Sequence, residues 1–219
     1  MTEMPFDEHA EEYDAWFLKN RNILQLEVLL LRHFLADPGK ALSVGCGSGL
    51  FELLLRTEHG IEIRFGVEPA EAMAAQLPFA AEEFDTVLLN GTASYPEDLA
   101  PAVREAHRVL RRGGRVVVAD VPAESSYGLL YQLAAMRKTW EDPSLGKIAP
   151  AHPYPVEFAL AAHWRNTEEK AEALRGAGFV HLEYAQTLTR HPKYSDESVE
   201  QPVEGLDRGD YVAIRARKP

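Results

Sequence analysis

Apolar positions between Phe6 and Leu35 recur at helical spacing, most clearly at Ile23, Leu26, Leu30 and Phe34. The pattern predicts helix over residues 6–35, stopped by Asp37-Pro38-Gly39, a breaker followed by a turn residue. Ala41–Val44 is then a short apolar strand that runs straight into a glycine-rich turn, and Leu50–Arg56 resumes helical spacing. Ile61–Val67 and Phe84–Leu89 read as two more strands. Leu99–Leu110 is amphipathic, with Val103, Ala106, Val109 and Leu110 on its inner face and Gly113-Gly114 ending it. Arg115–Val121 is a buried strand centred on Val116-Val117-Val118-Ala119. Strand alternating with helix at these intervals predicts an α/β, doubly wound, Rossmann-like fold with a mostly parallel sheet.

From Pro122 to Trp164 that alternation fails. The stretch carries Pro122, Pro143, Pro150, Pro153 and Pro155, and the aromatics Tyr127, Tyr131, Trp140, Tyr154, Phe158 and Trp164. A connection so long is uncommon unless it covers something, so residues 122–165 are expected to be a cap inserted into one domain spanning residues 1–219. Two roles fit its rings. They line a pocket for an apolar or aromatic small molecule, with a cationic amine over a ring, or they fill the cap's own small core. Asn166 and Glu169 form a capping-box pattern for a helix over Thr167–Ala177, closed by Gly178. Val180–Thr187 and Tyr211–Ala216 are expected to be an antiparallel pair joined by the polar stretch 191–209.

Composition narrows the partners. The 219 residues are 46% hydrophobic and 26% charged, which suits a soluble globular chain. A formal net charge of −11 repels phosphates, so nucleic acid is not expected as a partner. The densest basic cluster, Arg108, Arg111, Arg112 and Arg115, is explained by cations placed at a helix C-terminus. A single cysteine, Cys46, precludes an internal disulfide and suits a reducing compartment. The N-terminus is polar, and Gln25 and Glu27 interrupt the apolar run Ile23–Leu31, so no signal peptide and no membrane span are expected. These features together place the chain in the cytoplasm. Its oligomeric state is not encoded in any recognisable pattern.

The chemistry centres on the turn Gly45-x-Gly47-x-Gly49 between a strand and a helix. Glycines admit positive φ and close approach of a ligand, while the helix start offers unpaired N–H groups. Glu68 stands 19 residues after Gly49, at the end of the next strand, where a carboxylate can accept both hydroxyls of a ribose. A solvated strand-end charge is the plainer alternative. Nicotinamide and nucleotide-sugar enzymes share this architecture, but Leu50 occupies the position where their fingerprint requires a third glycine or alanine.

Leu42-Ser43-Val44-Gly45-Cys46-Gly47-Ser48-Gly49 resembles the first motif of class I S-adenosylmethionine-dependent methyltransferases. Gly66-Val67-Glu68-Pro69 with Met73 resembles their second. Leu77-Pro78-Phe79 with Phe84-Asp85-Thr86-Val87 is similar to the approach to strand four in the small-molecule branch, which includes ubiquinone and menaquinone methyltransferases. Glu105 through Gly114 resembles the helix and turn before strand five. Phe6 to Trp16 resembles the N-terminal helix that closes over the cofactor, which gives residues 1–37 that closing role.

The resemblance implies S-adenosylmethionine as cofactor and methyl transfer to a small-molecule acceptor. Gly45, Cys46 and Gly47 would line its methionine part, Gly49 would belong to the same cofactor-binding turn, Glu68 would hold the ribose, and Pro69 and Met73 would border the adenine. Asn90 and Gly91 would lie beside the reacting methyl. Tyr13 would close the site from above, or serve as an apolar anchor of its helix. The competing expectation is a catalytically degenerate methyltransferase-like module that binds or dimerises.

Two departures favour that rival. Ser43 stands where the family carries an acid that helps hold the cofactor's amino group. A helix and strand usually present after the Met73 position are absent, because Met73 leads within four residues to Leu77-Pro78-Phe79. The sheet is therefore expected to have seven strands, or six with that edge lost, and cofactor binding is expected to be weak. No catalytic residue is assigned. His152, His163 and His191 are candidate bases for an amine, hydroxyl or thiol, or merely solvated side chains. His33, His59, His107 and His181 are expected to be structural, and no metal-ligand spacing is present.

Overall fold

The long helix expected over residues 6–35 is two helices, α1 (Pro5–Lys19) and α2 (Arg21–Leu35), broken at Asn20. This computed structural model describes residues 5–67 and 76–219, with side chains from residue 11 onward. Asn20 leaves helical geometry (φ −102°, ψ 61°), and its side-chain amide donates to the Trp16 carbonyl at 2.9 Å. The Asp196 carboxylate then accepts from the backbone N–H groups of Asn22 and Ile23, at 2.9 and 3.1 Å. A carboxylate there satisfies donors that the new helix start leaves open and complements its dipole. The break thus depends on a residue more than 170 positions away, beyond the reach of local periodicity.

Seven strands form one sheet in the order β2-β1-β3-β4-β7-β5-β6. They are β1 (Ala41–Val44), β2 (Phe65–Val67), β3 (Phe84–Asn90), β4 (Leu110–Asp120), β5 (Val180–Thr187), β6 (Val203–Glu204) and β7 (Tyr211–Arg217). The first four pair in parallel, and β7 runs antiparallel to both β4 and β5, as the sequence pattern implies. The seventh strand does not sit where the family's extra strand was missed. Among the described residues β2 is the sheet edge on that side, whereas β6 adds two residues to the opposite edge, inside the stretch read as a connecting loop.

Two boundaries move for physical reasons. Only Phe65–Val67 of the expected strand Ile61–Val67 joins the sheet, because four-residue β1 offers partners only from Leu42 opposite Phe65 to Val44 opposite Val67. Gly113-Gly114 does not end a helix. Helix α4 (Leu99–Val109) stops when Leu110 becomes extended, and both glycines lie in a bulge of β4 between the Phe84–Leu110 and Thr86–Arg115 pairs. Gly113, at φ +75°, there donates its N–H to the Lys218 carbonyl at 2.9 Å.

Alternating strand residues feed two cores. Leu42, Val44, Val87, Leu89, Val116, Val118, Ile214 and Ala216 pack with α4 and α7 (Thr167–Gly176). Leu88, Val117, Ala119 and Ala213 pack on the other face with α2 and α3 (Leu50–His59). Helix α7 begins with the expected capping box between Asn166 and Glu169. Between β4 and α7 run α5 (Ser126–Arg137) and α6 (Val156–Ala161). The basic cluster is bonded internally: Arg108 pairs with Glu105, Arg111 with Asp85, and Arg115 donates to the carbonyls of Ala36 and Asp37 behind α2.

Candidate functional site

At the carboxyl end of β1 the chain turns through Gly45, Gly47 and Gly49, with φ of +76°, +53° and +79°. These angles strain any residue carrying a Cβ. The three glycines differ in their surroundings. A Cβ on Gly45 would meet Thr92 Oγ1 at 2.4 Å, so this glycine allows β1 and the loop after β3 to touch. Gly47 and Gly49 face open space, with nothing within 4 Å of such an atom. The Gly45 N–H donates to the Val67 carbonyl (2.8 Å) and that of Gly49 to the Cys46 carbonyl (2.9 Å). The N–H groups of Gly47 and Ser48 meet no acceptor among the described residues, which leaves donors at the mouth of α3. The Cys46 sulfur lies over Gly66 of β2, where an added Cβ would sit only 2.7 Å from it.

Beneath this turn, Ser43 does not stand alone. Its hydroxyl donates to Glu52 Oε1 at 2.6 Å, which brings a carboxylate from α3 to the place where the sequence lacks one. The other oxygen, Oε2, is buried without a hydrogen-bond partner among the described residues. Burial pushes the Glu52 carboxyl upward, against the pull of the Ser43 hydrogen bond.

Next to the loop, a cavity of about 70 Å³ opens at the carboxyl ends of β3 and β4. Gly91 and Asp120-Val121 form its floor, and α1 and α2 contribute Tyr13, Trp16, Phe17 and Glu27. Four of the six rings between residues 122 and 164 line it: Tyr131, Tyr154, Phe158 and Trp164. The other two support that wall. Trp140 donates its indole N–H to the Tyr154 carbonyl at 2.7 Å, and the Tyr127 hydroxyl lies 2.5 Å from Ser195 Oγ. Four of these rings thus line a cavity, and two pack behind them.

Tyr13 lines the cavity with its ring edge-to-face against Phe17, Tyr154 and Phe158. An added Cβ on Gly91 would sit 3.7 Å from its hydroxyl, so Tyr13 reaches the strand end. Asn90 accepts at Oδ1 from the Tyr211 hydroxyl (2.9 Å), and Gly91, at φ +64°, donates its N–H to the Ala119 carbonyl (2.8 Å). The structure therefore brings Tyr13, Gly45, Cys46, Gly47, Gly49, Asn90 and Gly91 to one end of the sheet. Glu68, Pro69 and Met73 lie outside the described residues. Among the described residues no histidine lines the cavity. The His152 carbonyl accepts from the Trp16 indole, and the His163 N–H donates to Ser94.

Glu27, Asp120, Tyr95 and Tyr211 also line the cavity and were not singled out from the sequence. Two signals were present. Glu27 shares a helical face with Ile23, Leu30, Leu31 and Phe34, where an acid is out of place, and Asp120 follows a run of buried strand residues. Burial, then the charge of Asp120, holds the Glu27 carboxyl well above the usual carboxylate range. Lys170 of α7 places Nζ 3.8 Å from Asp120 and 3.1 Å from the Val121 carbonyl, and its own burial pushes its pKa down.

Comparison with known proteins agrees with this arrangement. Residues 42–118 match the family described as methyltransferase domain. An uncharacterized protein of Mycobacterium tuberculosis is 30% identical over 94% of this chain and 71% of its own length. A ubiquinone/menaquinone biosynthesis C-methyltransferase of Rhizobium meliloti is 30% identical over 125 residues, covering 56% of this chain and 48% of that enzyme. The crystal structure of a Thermotoga maritima S-adenosylmethionine-dependent methyltransferase, described as a possible histamine N-methyltransferase, superposes with a TM-score of 0.81. It is 28% identical and covers 98% of both chains. With its glycine turn, its sheet order and these relatives, the chain belongs to the class I S-adenosylmethionine-dependent methyltransferases.

Proposed function

We propose that the protein transfers the methyl group of S-adenosylmethionine to a small-molecule acceptor held in the aromatic cavity. The observation that carries this reading is adjacency. Thr92 Oγ1 packs on Gly45 and donates to the Val44 carbonyl at 3.0 Å, so the glycine turn and Gly91 occupy neighbouring strand ends. A ligand on the turn and one in the cavity would meet at Asn90-Gly91.

The residues present fit the cofactor. Open space at Gly47 and Gly49 admits a ligand against the backbone, and Glu52 Oε2, without a partner among the described residues, is a buried acceptor beneath the turn. Gly45, Cys46, Gly47 and Gly49 would hold the methionine part, Glu68 the ribose, Pro69 and Met73 the adenine, and Asn90 and Gly91 the region of the sulfur. When bound, the sulfonium supplies an electrophilic methyl group. The protein's task is then to align an acceptor in line with it and exclude water, for which Tyr13 and the rings of residues 122–165 are suited. We assign that segment the role of acceptor cap, and residues 1–37 the role of closure. The cavity's size and acidity favour a small molecule over a nucleic acid.

The degenerate module is the second reading, favoured by Ser43 in place of an acid. The carboxylate that Ser43 binds on Glu52 weakens that argument. Calorimetry with S-adenosylhomocysteine separates the two. Binding at about 100 µM or tighter supports an intact cofactor site, and no binding at about 1 mM overturns it. Transfer of labelled methyl from S-adenosylmethionine to a panel of small molecules then tests the chemistry.

A further inference from the structure

The cavity contains two carboxylates of unequal standing. Asp120 is fully engaged. The Ser94 hydroxyl and the Val121 N–H each donate to it at 2.8 Å, and Lys170 lies 3.8 Å away. Glu27 is buried to the same degree, 6% exposed, yet forms no ion pair with a lysine or arginine among the described residues. Its polar neighbour is the hydroxyl of Tyr211. An acid on an otherwise apolar helix face destabilises the fold, and a leucine would pack there without that cost. Tyr13, Trp16, Tyr131 and Tyr154 line the same cavity, and the faces of such rings attract cations.

We propose that the acceptor is a small amine, bound as its ammonium among these rings with Glu27 as its counter-ion. This rests on the methyl-transfer reading above and names its substrate class. The two carboxylates repel an anionic acceptor. A neutral alcohol or phenol leaves Glu27 without a partner of opposite charge. Position also favours the amine. The Tyr211 hydroxyl contacts both Glu27 and Asn90, which ties the acid to the strand end where the methyl group would arrive. On transfer, the ammonium nitrogen gives a proton to the Glu27 carboxylate and its lone pair forms the new N–C bond. The C–S bonding pair remains on sulfur, leaving a neutral thioether, a protonated Glu27 and a methylated ammonium. The burial that raises the Glu27 carboxyl makes its carboxylate a better proton acceptor for this step.

The test is calorimetric titration of the full chain, saturated with S-adenosylhomocysteine, with 2-phenylethylamine, 2-phenylethanol and phenylacetate. 1-Butylamine and 1-butanol serve as narrower probes. Each amine is expected to bind roughly tenfold or more tightly than its alcohol, and phenylacetate not at all. Glu27→Gln is expected to keep S-adenosylhomocysteine affinity within about twofold and to lose roughly tenfold or more in amine affinity. Alcohols binding as tightly as amines, amines failing to bind, or unchanged amine affinity in Glu27→Gln each overturn the proposal. If Glu27→Gln does not fold, the wild-type ratio of amine to alcohol affinity decides alone. Absence of S-adenosylhomocysteine binding by the wild-type chain overturns the methyl-transfer reading instead.

Discussion

One wall of the site is built by five consecutive residues, Gly45–Gly49, whereas the other draws on positions from Tyr13 to Tyr211. The first works through backbone: positive φ, open space over two glycines, and N–H groups at a helix start. The second works through side chains that meet only because α1, α2, α5 and α6 converge over the ends of β3 and β4. A backbone site tolerates little change in residue type, while a side-chain site can be remodelled ring by ring. Such a division lets one wall stay fixed while the other changes.

The comparison breaks most sharply at Gly45, where the two walls touch. Gly45→Val adds left-handed strain and drives a side chain into Thr92, so a loss of about 3–5 kcal/mol in folding stability is expected. Denaturant unfolding measures it. A loss under about 1 kcal/mol would show that the strand ends can separate without consequence.

The cavity wall should be the more sensitive to pH. Asp210 accepts from the Tyr127 N–H at 3.0 Å, at the start of the helix that carries Tyr131, and burial pushes its carboxyl up to about 6. A folded value above the unfolded 3.8 means that its contribution is complete below pH 3.8 and is lost as pH rises through about 6. Between pH 4 and 7 this one group is expected to lower stability by about 3 kcal/mol. Asp210→Asn should flatten that slope in urea unfolding at a series of pH values, and an unchanged slope would remove Asp210 as its source.

Under the loop, Ser43→Ala removes the side-chain donor to a buried carboxylate, and a cost of about 1–3 kcal/mol is expected. Ser43→Asp, which restores the family's usual acid, would set a second carboxylate beside Glu52. It is expected to weaken S-adenosylhomocysteine binding rather than improve it, as calorimetry would reveal. Tighter binding by Ser43→Asp would mean that Glu52 does not occupy the role of the missing acid.

The smallest effect is expected at Gly47. An alanine there meets no atom, so Gly47→Ala should cost only the conformational strain, about 1–2 kcal/mol. If the cofactor fills the open space, Gly47→Ala and Gly49→Ala should each weaken S-adenosylhomocysteine binding measurably. Affinity untouched in both variants would place the ligand elsewhere.

Much of the glycine turn was legible in the residues. Gly45, Gly47 and Gly49 declare backbone conformations that other residues avoid, and Val116–Ala119 declares a buried strand. The capping box at Asn166 and Glu169 is equally local, since both partners lie within one helical turn. Other features were misread because their causes are remote. Helix α2 starts at Arg21 because Asp196 meets its first N–H groups, and Gly113-Gly114 lies in a strand bulge because Lys218 supplies an acceptor there. Ser43 looked like a deficit until α3 brought Glu52 to it, nine residues on.

The sequence by itself determined the alternation of β1 to β4 with their flanking helices, the glycine turn and the family, because periodicity and glycine conformation are properties of adjacent residues. Only the tertiary structure decided that Glu27 is a cavity residue, that four of six late aromatics face it, and that the seventh strand closes the β5 edge. Those outcomes depend on which surfaces pack together. Packing is set by many distant contacts acting at once, and no single stretch of chain records it.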